Sequence, residues 1–211
     1  KGEMLFEQAL LKRCRETLEE EKPLLEAGFT DEEWRGLQHM GFLTTKPMIV
    51  VVNIDENQLQ QGHYPGEKEV TAYTSARGIP GLTLCAGLEA EIACLEPEER
   101  QEFLDELGIT EPGIDRLARA IYNRLGLISF LTAGEDEVRA WTIKKGTNAR
   151  AAAGKIHSDM ERGFIRAEVV AYTDLEKQGD MNKAREKGLV RLEGKDYIVQ
   201  DGDIINFRFN V

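Results

Sequence analysis

A short apolar run, Met48 to Val52, constrains the fold of this chain more than any other feature of its sequence. The run is rich in β-branched residues and does not alternate with polar ones, which is typical of a central parallel strand covered on both faces. Apolar residues at helical spacing follow it, for example Leu88, Ile92 and Leu95. Because strands that alternate with helices build α/β sheets, we predict an α/β fold.

Composition and charge indicate an ordinary globular chain. Hydrophobic residues make up 41% and charged residues 31% of the sequence. No apolar run approaches the roughly 20 residues that a membrane helix needs, and the start has no secretory signal pattern. We therefore expect a cytoplasmic protein without a membrane partner. Because the first residue is Lys1 and not methionine, we also expect a longer parent protein.

The first 46 residues predict helices. A helix is expected over residues 3–26, ended or bent by Pro23. Thr30 precedes a second, short helix, with Glu33 at capping-box spacing. Residues 47–127 then predict the apolar strand and weaker strands over residues 69–73 and 81–84. Helices are expected around Leu88, after Pro97 and after a Thr110 cap.

Residues 128–211 have a different pattern. Two strands, over residues 127–132 and 138–143, are expected to form a hairpin joined at Gly134-Glu135-Asp136. An alanine-rich helix over residues 148–160 and strands over residues 164–172, 197–199 and 204–210 follow. This order is that of a β-grasp (ubiquitin-like) unit.

The loop Asn53-Ile54-Asp55-Glu56 is the main candidate for ligand binding, since ligands of open α/β sheets lie at the carboxyl ends of strands. GTP-binding proteins have Asn-Lys-x-Asp here, and the aspartate accepts from two guanine donors. Glu56 is one methylene longer and cannot keep that geometry, whereas adenine presents an amino donor instead. The same four residues also fit a solvated turn, because asparagine is common in turns.

Several segments resemble the Obg-like (YchF-type) ATPase family of P-loop proteins in order and spacing. They are Lys46-Pro47, the apolar strand with Asn53-Ile54-Asp55-Glu56, residues 85–92, 111–113, 132–134, 137–143, 153–157, 164–167 and 193–199. The resemblance covers nearly the whole chain. It implies a helical (coiled-coil) insertion segment over residues 1–46, the C-terminal part of a Ras-like P-loop nucleotide-binding domain over residues 47–127, and a β-grasp TGS domain over residues 128–211.

The resemblance also implies binding residues. Family members resemble GTPases but prefer ATP, which agrees with Glu56 as part of the base site. Asn53 and the backbone of Ile54 would face the adenine, and Ala86 and Gly87 would lie in a second base-contacting loop. The family usually has Ser-Ala-Lys in that second loop, so the glycine restricts position 87 to backbone contacts.

The phosphate-binding motif Gly-x-x-x-x-Gly-Lys-Ser/Thr is missing from the sequence. Gly154-Lys155 is followed by Ile156, and Gly194-Lys195 by Asp196; neither pair has the first glycine. The histidines and cysteines do not have metal-ligand spacing either. We therefore predict no catalytic or metal residue in this chain, and ATP (or GTP) with Mg²⁺ only in the intact protein.

The chain has a net charge of −11, but residues 138–168 carry seven basic against three acidic side chains. We predict that these basic residues dock the chain on the ribosome or ribosomal RNA: Arg139, Lys144, Lys145, Arg150, Lys155, Arg162 and Arg166. The expected function is that of a portion of a ribosome-associated, ATP-preferring NTPase that is not hydrolytic alone. Two alternatives stay open: a stand-alone TGS-type RNA- or protein-binding module without nucleotide, and a hydrolase that uses Asp55 or Glu56 as a base.

Overall fold

The computed structural model describes residues 2–134 and 137–210. The helices are α1 (Gly2–Glu19), α2 (Asp31–Leu37), α3 (Glu56–Gln61), α4 (Glu67–Ala76), α5 (Ala86–Cys94), α6 (Pro97–Glu106), α7 (Gly113–Arg124), α8 (Ala149–Ile156), α9 (Ser158–Arg162), α10 (Tyr172–Gln178) and α11 (Met181–Glu186). The strands are β1 (Val50–Asn53), β2 (Gly81–Leu84), β3 (Leu127–Ala133), β4 (Val138–Lys144), β5 (Phe164–Ala171), β6 (Arg191–Glu193) and β7 (Asp203–Phe209).

The chain divides into two compact units. Lys1–Val50 and Lys68–Gly81 form the first, and Val51–Glu67 and Leu82–Val211 form the second. The division predicted at residues 46 and 127 stays a prediction. None of the described helices combines the length and apolar character that a bilayer span requires.

Helix α1 of the first unit ends at Glu19, seven residues before the predicted end at residue 26. The amide of Lys22 donates to the Thr17 carbonyl and that of Glu21 to the Leu18 carbonyl, the two bonds of a Schellman motif. Glu21 takes the left-handed conformation at φ 57°, which glycine usually occupies. The backbone therefore turns before Pro23 is reached.

The core of the first unit joins α1 to α2. Leu10 and Cys14 of α1 pack with Leu24, Phe29 and Leu37. The predicted capping box at the start of α2 is confirmed by bonds in both directions between Thr30 and Glu33. Arg13 reaches across to Glu33 at 2.6 Å, which ties the two helices together at their polar side.

The strand predicted over residues 69–73 is wrong, because this segment lies within α4. Val70 and Tyr73 are three residues apart, a spacing that also fits one face of a helix. Thr74 is buried and its hydroxyl donates to the Val70 carbonyl at 2.9 Å, which satisfies the polar group inside the helix. The strand preference of these side chains is a weak, context-dependent signal, and the structure does not follow it here.

Strands β1 and β2 form a two-stranded sheet. The amide of Val50 donates to the Pro80 carbonyl and that of Ile54 to the Leu84 carbonyl, so the strands run parallel. Val51 is 41% exposed, and the expected cover on both faces is therefore not observed within residues 2–134 and 137–210. The sequence pattern of a central strand thus occurs here in a sheet of two strands.

Helices α5, α6 and α7 follow β2. Leu88 and Ile92 of α5 pack with Ile54, Cys85 and Leu104 in a small core. Helix α7 starts at Gly113 with Pro112 at its N-cap, so the predicted Thr110 cap is wrong. Proline is suited to a helix start because its missing amide would have no partner there.

Residues 127–210 form a five-stranded sheet in the order β4-β3-β7-β5-β6. The predicted hairpin is confirmed: β3 and β4 pair antiparallel from Leu127–Lys144 to Ala133–Val138. Its predicted turn at Glu135 and Asp136 lies outside the described residues. Strand β7 lies parallel to β3 and antiparallel to β5, and β6 continues the sheet beyond β5.

Helices α8 and α9 cover one face of this sheet. Phe130, Ile205 and Phe207 of the strands pack in one core with the fully buried Ala152 and Ala153 of α8. The predicted alanine-rich helix is interrupted at His157, which caps α9.

Three elements of this region were not predicted, namely β6, α10 and α11. The strand predicted over residues 197–199 makes only a bridge between Ile198 and Asn148.

Candidate functional site

Asn53 joins the two loops that are predicted to contact a base. It is the last residue of β1, and its Oδ1 accepts a hydrogen bond of 2.9 Å from the amide of Ala86, the first residue of α5. Because the partner is an amide donor, the side-chain oxygen must face it, and the Nδ2 donor is directed elsewhere. The side chain of Asn53 thus connects the two loops and leaves its Nδ2 donor available to another partner.

Ile54 contributes its backbone to this edge of the sheet and its side chain to the core. Its amide donates to the Leu84 carbonyl at 2.9 Å. Its side chain is only 8% exposed and packs with Cys85 and Leu88. The lysine of Asn-Lys-x-Asp is therefore not interchangeable with Ile54 here, since it would place a charge in an apolar core.

The two carboxylates of the loop have different surroundings. Asp55 is the N-cap of α3; it accepts from the Gln58 amide at 2.8 Å, and Gln58 accepts from the Asp55 amide at 3.1 Å. Glu56 is exposed in the first turn of α3, and no hydrogen bond or ion pair holds its carboxylate within residues 2–134 and 137–210. A local structural role therefore accounts for Asp55, whereas the Glu56 carboxylate is available to a ligand.

Ala86 and Gly87 form the exposed first turn of α5. A Cβ added to Gly87 would meet no atom within 4 Å, so the space beside this turn is open. The next residue, Leu88, is buried in the core and holds this turn in place. The backbone of this turn is therefore accessible, with no side chain of residue 87 in the way.

Helix α5 is also connected to the start of α7. Glu89 accepts a 2.6 Å hydrogen bond from the amide of Gly113, one of the first-turn donors that lack a partner inside a helix. A Cβ at Gly113 would lie 2.6 Å from Glu89 Oε1 and 3.2 Å from Leu84 Cβ. The close approach requires a glycine and fixes α5 beside the carboxyl end of β2.

All seven basic residues of the predicted docking face are exposed, but they do not share one face. Arg150 and Lys155 lie on α8 and Arg162 at the end of α9. Strand alternation places Arg166 on the opposite side of the sheet, because its neighbour Ala167 is buried under α8.

The three remaining basic residues lie on or beside the hairpin. Arg139 is on the α8 side, with its guanidinium 4.3 Å from the centre of the Trp141 ring. Lys144 is on the far side by strand alternation, and its Nζ donates to the Leu125 carbonyl at 2.8 Å. Lys145 is exposed just past the end of β4. The structure thus divides the basic stretch between the two sides of the sheet.

A second basic group lies outside the predicted stretch. Arg208 of β7 donates from Nε and a terminal nitrogen to Glu168 Oε1 at 3.1 and 3.0 Å, and Arg185 of α11 donates to Glu168 Oε2 at 3.4 Å. Burial raises the pKa of the Glu168 carboxyl, but the bonds and charges of Arg208, followed by those of Arg185, hold this pKa below its ordinary value. The sequence does not reveal this group, because its members are distant in the chain and meet only through the pairing of β5 with β7 and the position of α11.

His157 has a local structural role. Its Nδ1 accepts from the Asp159 amide at 3.2 Å and caps α9, while Asp159 also pairs with Arg162. Within residues 2–134 and 137–210, no three histidine, cysteine or acidic side chains are grouped so that they could hold a metal ion.

Comparison with known proteins gives the same family over most of the chain. Residues 127–210 match the family model YchF-GTPase_C, described as a protein of unknown function. The ribosome-binding ATPase YchF of Bacillus subtilis is 49% identical, with 98% of this chain and 57% of that protein covered. Obg-like ATPase 1 of Caenorhabditis elegans is 39% identical, with 97% and 52% covered. This chain therefore spans a little over half the length of these relatives.

Solved structures support the same relationship. The Schizosaccharomyces pombe YchF GTPase has a TM-score of 0.83 and 30% identity, with 96% of this chain and 54% of that chain covered. A GTP-binding protein from Pyrococcus horikoshii has a TM-score of 0.55 at 18% identity, with 95% and 56% covered, which shows similarity of fold alone. Taken together with the curated relatives, these matches show that the chain belongs to the YchF/Obg-like ATPase family.

Proposed function

We propose that this chain supplies the base-recognition loops and the docking domain of a cytoplasmic, ribosome-associated P-loop NTPase that prefers ATP to GTP. The observation that carries the proposal is the hydrogen bond from Ala86 to Asn53 Oδ1, because it holds two exposed loops side by side at the carboxyl ends of parallel strands. The names of the relatives, ribosome-binding ATPase and Obg-like ATPase, support the same assignment.

In this proposal each loop residue has a defined task. Asn53 directs its Nδ2 donor to the base, the backbone at Ile54 forms the floor, and Glu56 accepts from the exocyclic amino group of adenine. Ala86 and Gly87 offer backbone groups from the first turn of α5. ATP (or GTP) with Mg²⁺ would be bound through a phosphate loop that this sequence does not contain. The nucleotide would supply the phosphoryl group that is hydrolysed, and this chain would select the base.

The same proposal assigns the other segments. Residues 128–211 would be a TGS domain of the β-grasp type; the hairpin, the helix across the sheet and the central parallel pair β3–β7 support this. Residues 1–46 would belong to a helical, coiled-coil insertion. Exposed apolar side chains on α1 support it, among them Met4, Leu5, Leu11 and Leu18.

Base recognition is tested by nucleotide titration. The protein is a full-length one that carries this chain together with a phosphate loop. Asn53→Ala should weaken ATP binding by ~1–3 kcal/mol, since it removes both the loop connection and a base contact. Asn57→Ala, an exposed residue of α3 four positions away, is the matched control and should bind as wild type does. Equal ATP affinities for Asn53→Ala and wild type would contradict the proposal.

The preference for ATP over GTP is tested separately. Ile54 is kept because its side chain lies in the core, so Glu56 is the residue that is changed. Glu56→Asp should reduce the ratio of ATP to GTP affinity, and Glu67→Asp, outside the two loops, should leave it unchanged. If wild type binds ATP and GTP equally tightly, Glu56 is not a selector.

The second candidate is a stand-alone RNA- or protein-binding module. It is favoured by one observation: residues 127–210 have their own core, built around Phe130 and Phe207. The same titration separates the two candidate functions. A stand-alone module would co-sediment with ribosomes but would show no saturable nucleotide binding, even when a phosphate loop is present in the same protein.

A further inference from the structure

Three arginines converge on the side of the sheet that α8 and α9 leave uncovered. Alternation along β5 turns Ala167 and Val169 towards these helices and Arg166 and Glu168 away from them. Along β7 it likewise turns Arg208 away. Arg185 reaches the same carboxylate, Glu168, from α11.

Other elements of the chain cover only part of this side of the sheet. Val170 and Ile204 pack under a small apolar cluster that includes Leu175, Met181 and Ala184 of α10 and α11. Further along the same two strands, Arg166, Asn206 and Arg208 are exposed. The exposed end is therefore a polar part of the sheet without a cover among the described residues, and α11 borders it.

The charges on this surface do not balance. Arg208 and Arg185 share the carboxylate of Glu168, whose side chain is 18% exposed while theirs are 54% and 49% exposed. Arg166 stands directly opposite Arg208 in the β5–β7 register. No hydrogen bond or ion pair engages the Arg166 guanidinium within residues 2–134 and 137–210.

Two like charges directly opposite each other on adjacent strands destabilise a sheet. One arginine would be enough to neutralise Glu168, so the fold itself gives no reason for three. In a chain of net charge −11 this excess of positive charge requires a different explanation, namely an anionic partner.

We propose that this surface, formed by Arg166, Arg185, Arg208 and Asn206, binds the phosphate backbone of RNA. The inference rests on the proposed ribosome association and gives it a site on the sheet, opposite to the predicted basic helix α8. Planar guanidinium groups pair with phosphate oxygens through two parallel hydrogen bonds. A polymer with a charge on every residue can engage several separated arginines at once on an exposed surface, and Asn206 can reach a sugar or base.

The experiment measures binding of fluorescein-labelled polyuridylate to the 211-residue chain by fluorescence anisotropy over a salt series. Arg166→Ala is the test variant because Arg166 makes no contact on which the fold depends. We expect a several-fold loss of affinity and a salt slope smaller by about 0.7, the value for one phosphate contact on a single strand. Arg166→Lys should keep most of the slope, since the charge remains.

Lys68→Ala is the matched control: it removes one exposed positive charge from α4, which is outside the five-stranded sheet and outside the predicted docking residues. It should leave both the affinity and the salt slope unchanged, and thermal unfolding should show that both variants fold. Equal losses in the two variants would mean that net charge alone matters and would overturn the proposal. Absence of polyuridylate binding by wild type would overturn it too.

Two further outcomes separate this site from its alternatives. If polyglutamate competes as well as polyuridylate at equal charge and with the same dependence on Arg166, the partner is an acidic protein and the RNA assignment fails. If Arg166→Ala co-sediments with ribosomes as wild type does over the salt series, this surface is not used, although ribosome association itself stands.

Discussion

Gly87 and Gly113, at the starts of α5 and α7, have very different surroundings. Gly87 is exposed in the first turn of α5 and has open space where a Cβ would be. Gly113 is buried at the start of α7, in contact with Glu89 and Leu84. The same substitution at the two positions should therefore change stability in opposite directions.

We predict that Gly87→Ala stabilises the chain by about 0.4–1 kcal/mol, because alanine reduces the freedom of the unfolded chain and fits the helix. Gly113→Ala should destabilise it by about 1–3 kcal/mol, because Glu89 must move and the Gly113 amide loses its acceptor. Urea unfolding at neutral pH measures both. Equal destabilisation by the two changes would show that the contact with Glu89 does not determine stability.

The lowered pKa of Glu168 predicts how the free energy of unfolding depends on pH. Its pKa in the folded chain lies below the ordinary value of 4.5, since Arg208 and Arg185 outweigh the effect of burial. A lowered folded pKa gives stability that is fully present above pH 4.5 and is lost as the pH falls through the folded pKa.

Glu168→Gln should therefore cost about 1 kcal/mol near pH 7, and its difference from wild type should narrow in acid. Urea unfolding over a pH series measures the difference, with Glu176→Gln on α10 as the control. A difference that is constant from neutral to acidic pH would exclude the carboxylate charge as its cause.

At the scale of elements, α8 is suited to its place by small side chains. Ala149, Ala152 and Ala153 are completely buried between the helix axis and the sheet, whereas Ala151 is exposed. His157 is both the C-cap of α8 and the N-cap of α9. These small side chains let α8 lie close to β4 and β5, where Ile143 and Val169 pack in the same core.

We predict that Ala152→Val destabilises the chain by about 1–3 kcal/mol through overpacking. Ala151→Val carries the same loss of helix propensity without the steric conflict, so it should cost less than about 0.7 kcal/mol. Thermal unfolding compares the pair. Equal midpoints for the two variants would show that α8 moves away from the sheet without cost.

At the scale of the whole molecule, this sequence carries the proposed base-recognition loops but no phosphate loop. We predict that the purified chain with ATP and Mg²⁺ releases phosphate no faster than buffer, since base contacts alone cannot orient an attacking water. A phosphate-release assay measures this. Sustained release that is abolished by Asp55→Asn or Glu56→Gln would instead establish the chain as a hydrolase that uses one of these carboxylates.

Local sequence patterns predicted much of this fold correctly. The capping box at Thr30, β2, the β3–β4 hairpin and the long strands β5 and β7 each follow from residues that are close in sequence. Such features depend on turn residues and on the alternation of side chains along a strand. Both are properties of the local sequence and do not depend on distant contacts. The order of elements in residues 127–210 could be predicted for the same reason.

Tertiary contacts decided the rest. Residues 69–73 form part of α4, in which the buried Thr74 hydroxyl is hydrogen-bonded to the Val70 carbonyl, and Ile54 became a core residue because it packs against Cys85. Seven basic residues that are clustered in sequence were divided between two sides of a sheet. Arg185 and Arg208 met at Glu168 only through strand register. Sequence thus determined which elements form, whereas pairing and packing, which depend on residues far apart in the chain, determined which side chains share a surface.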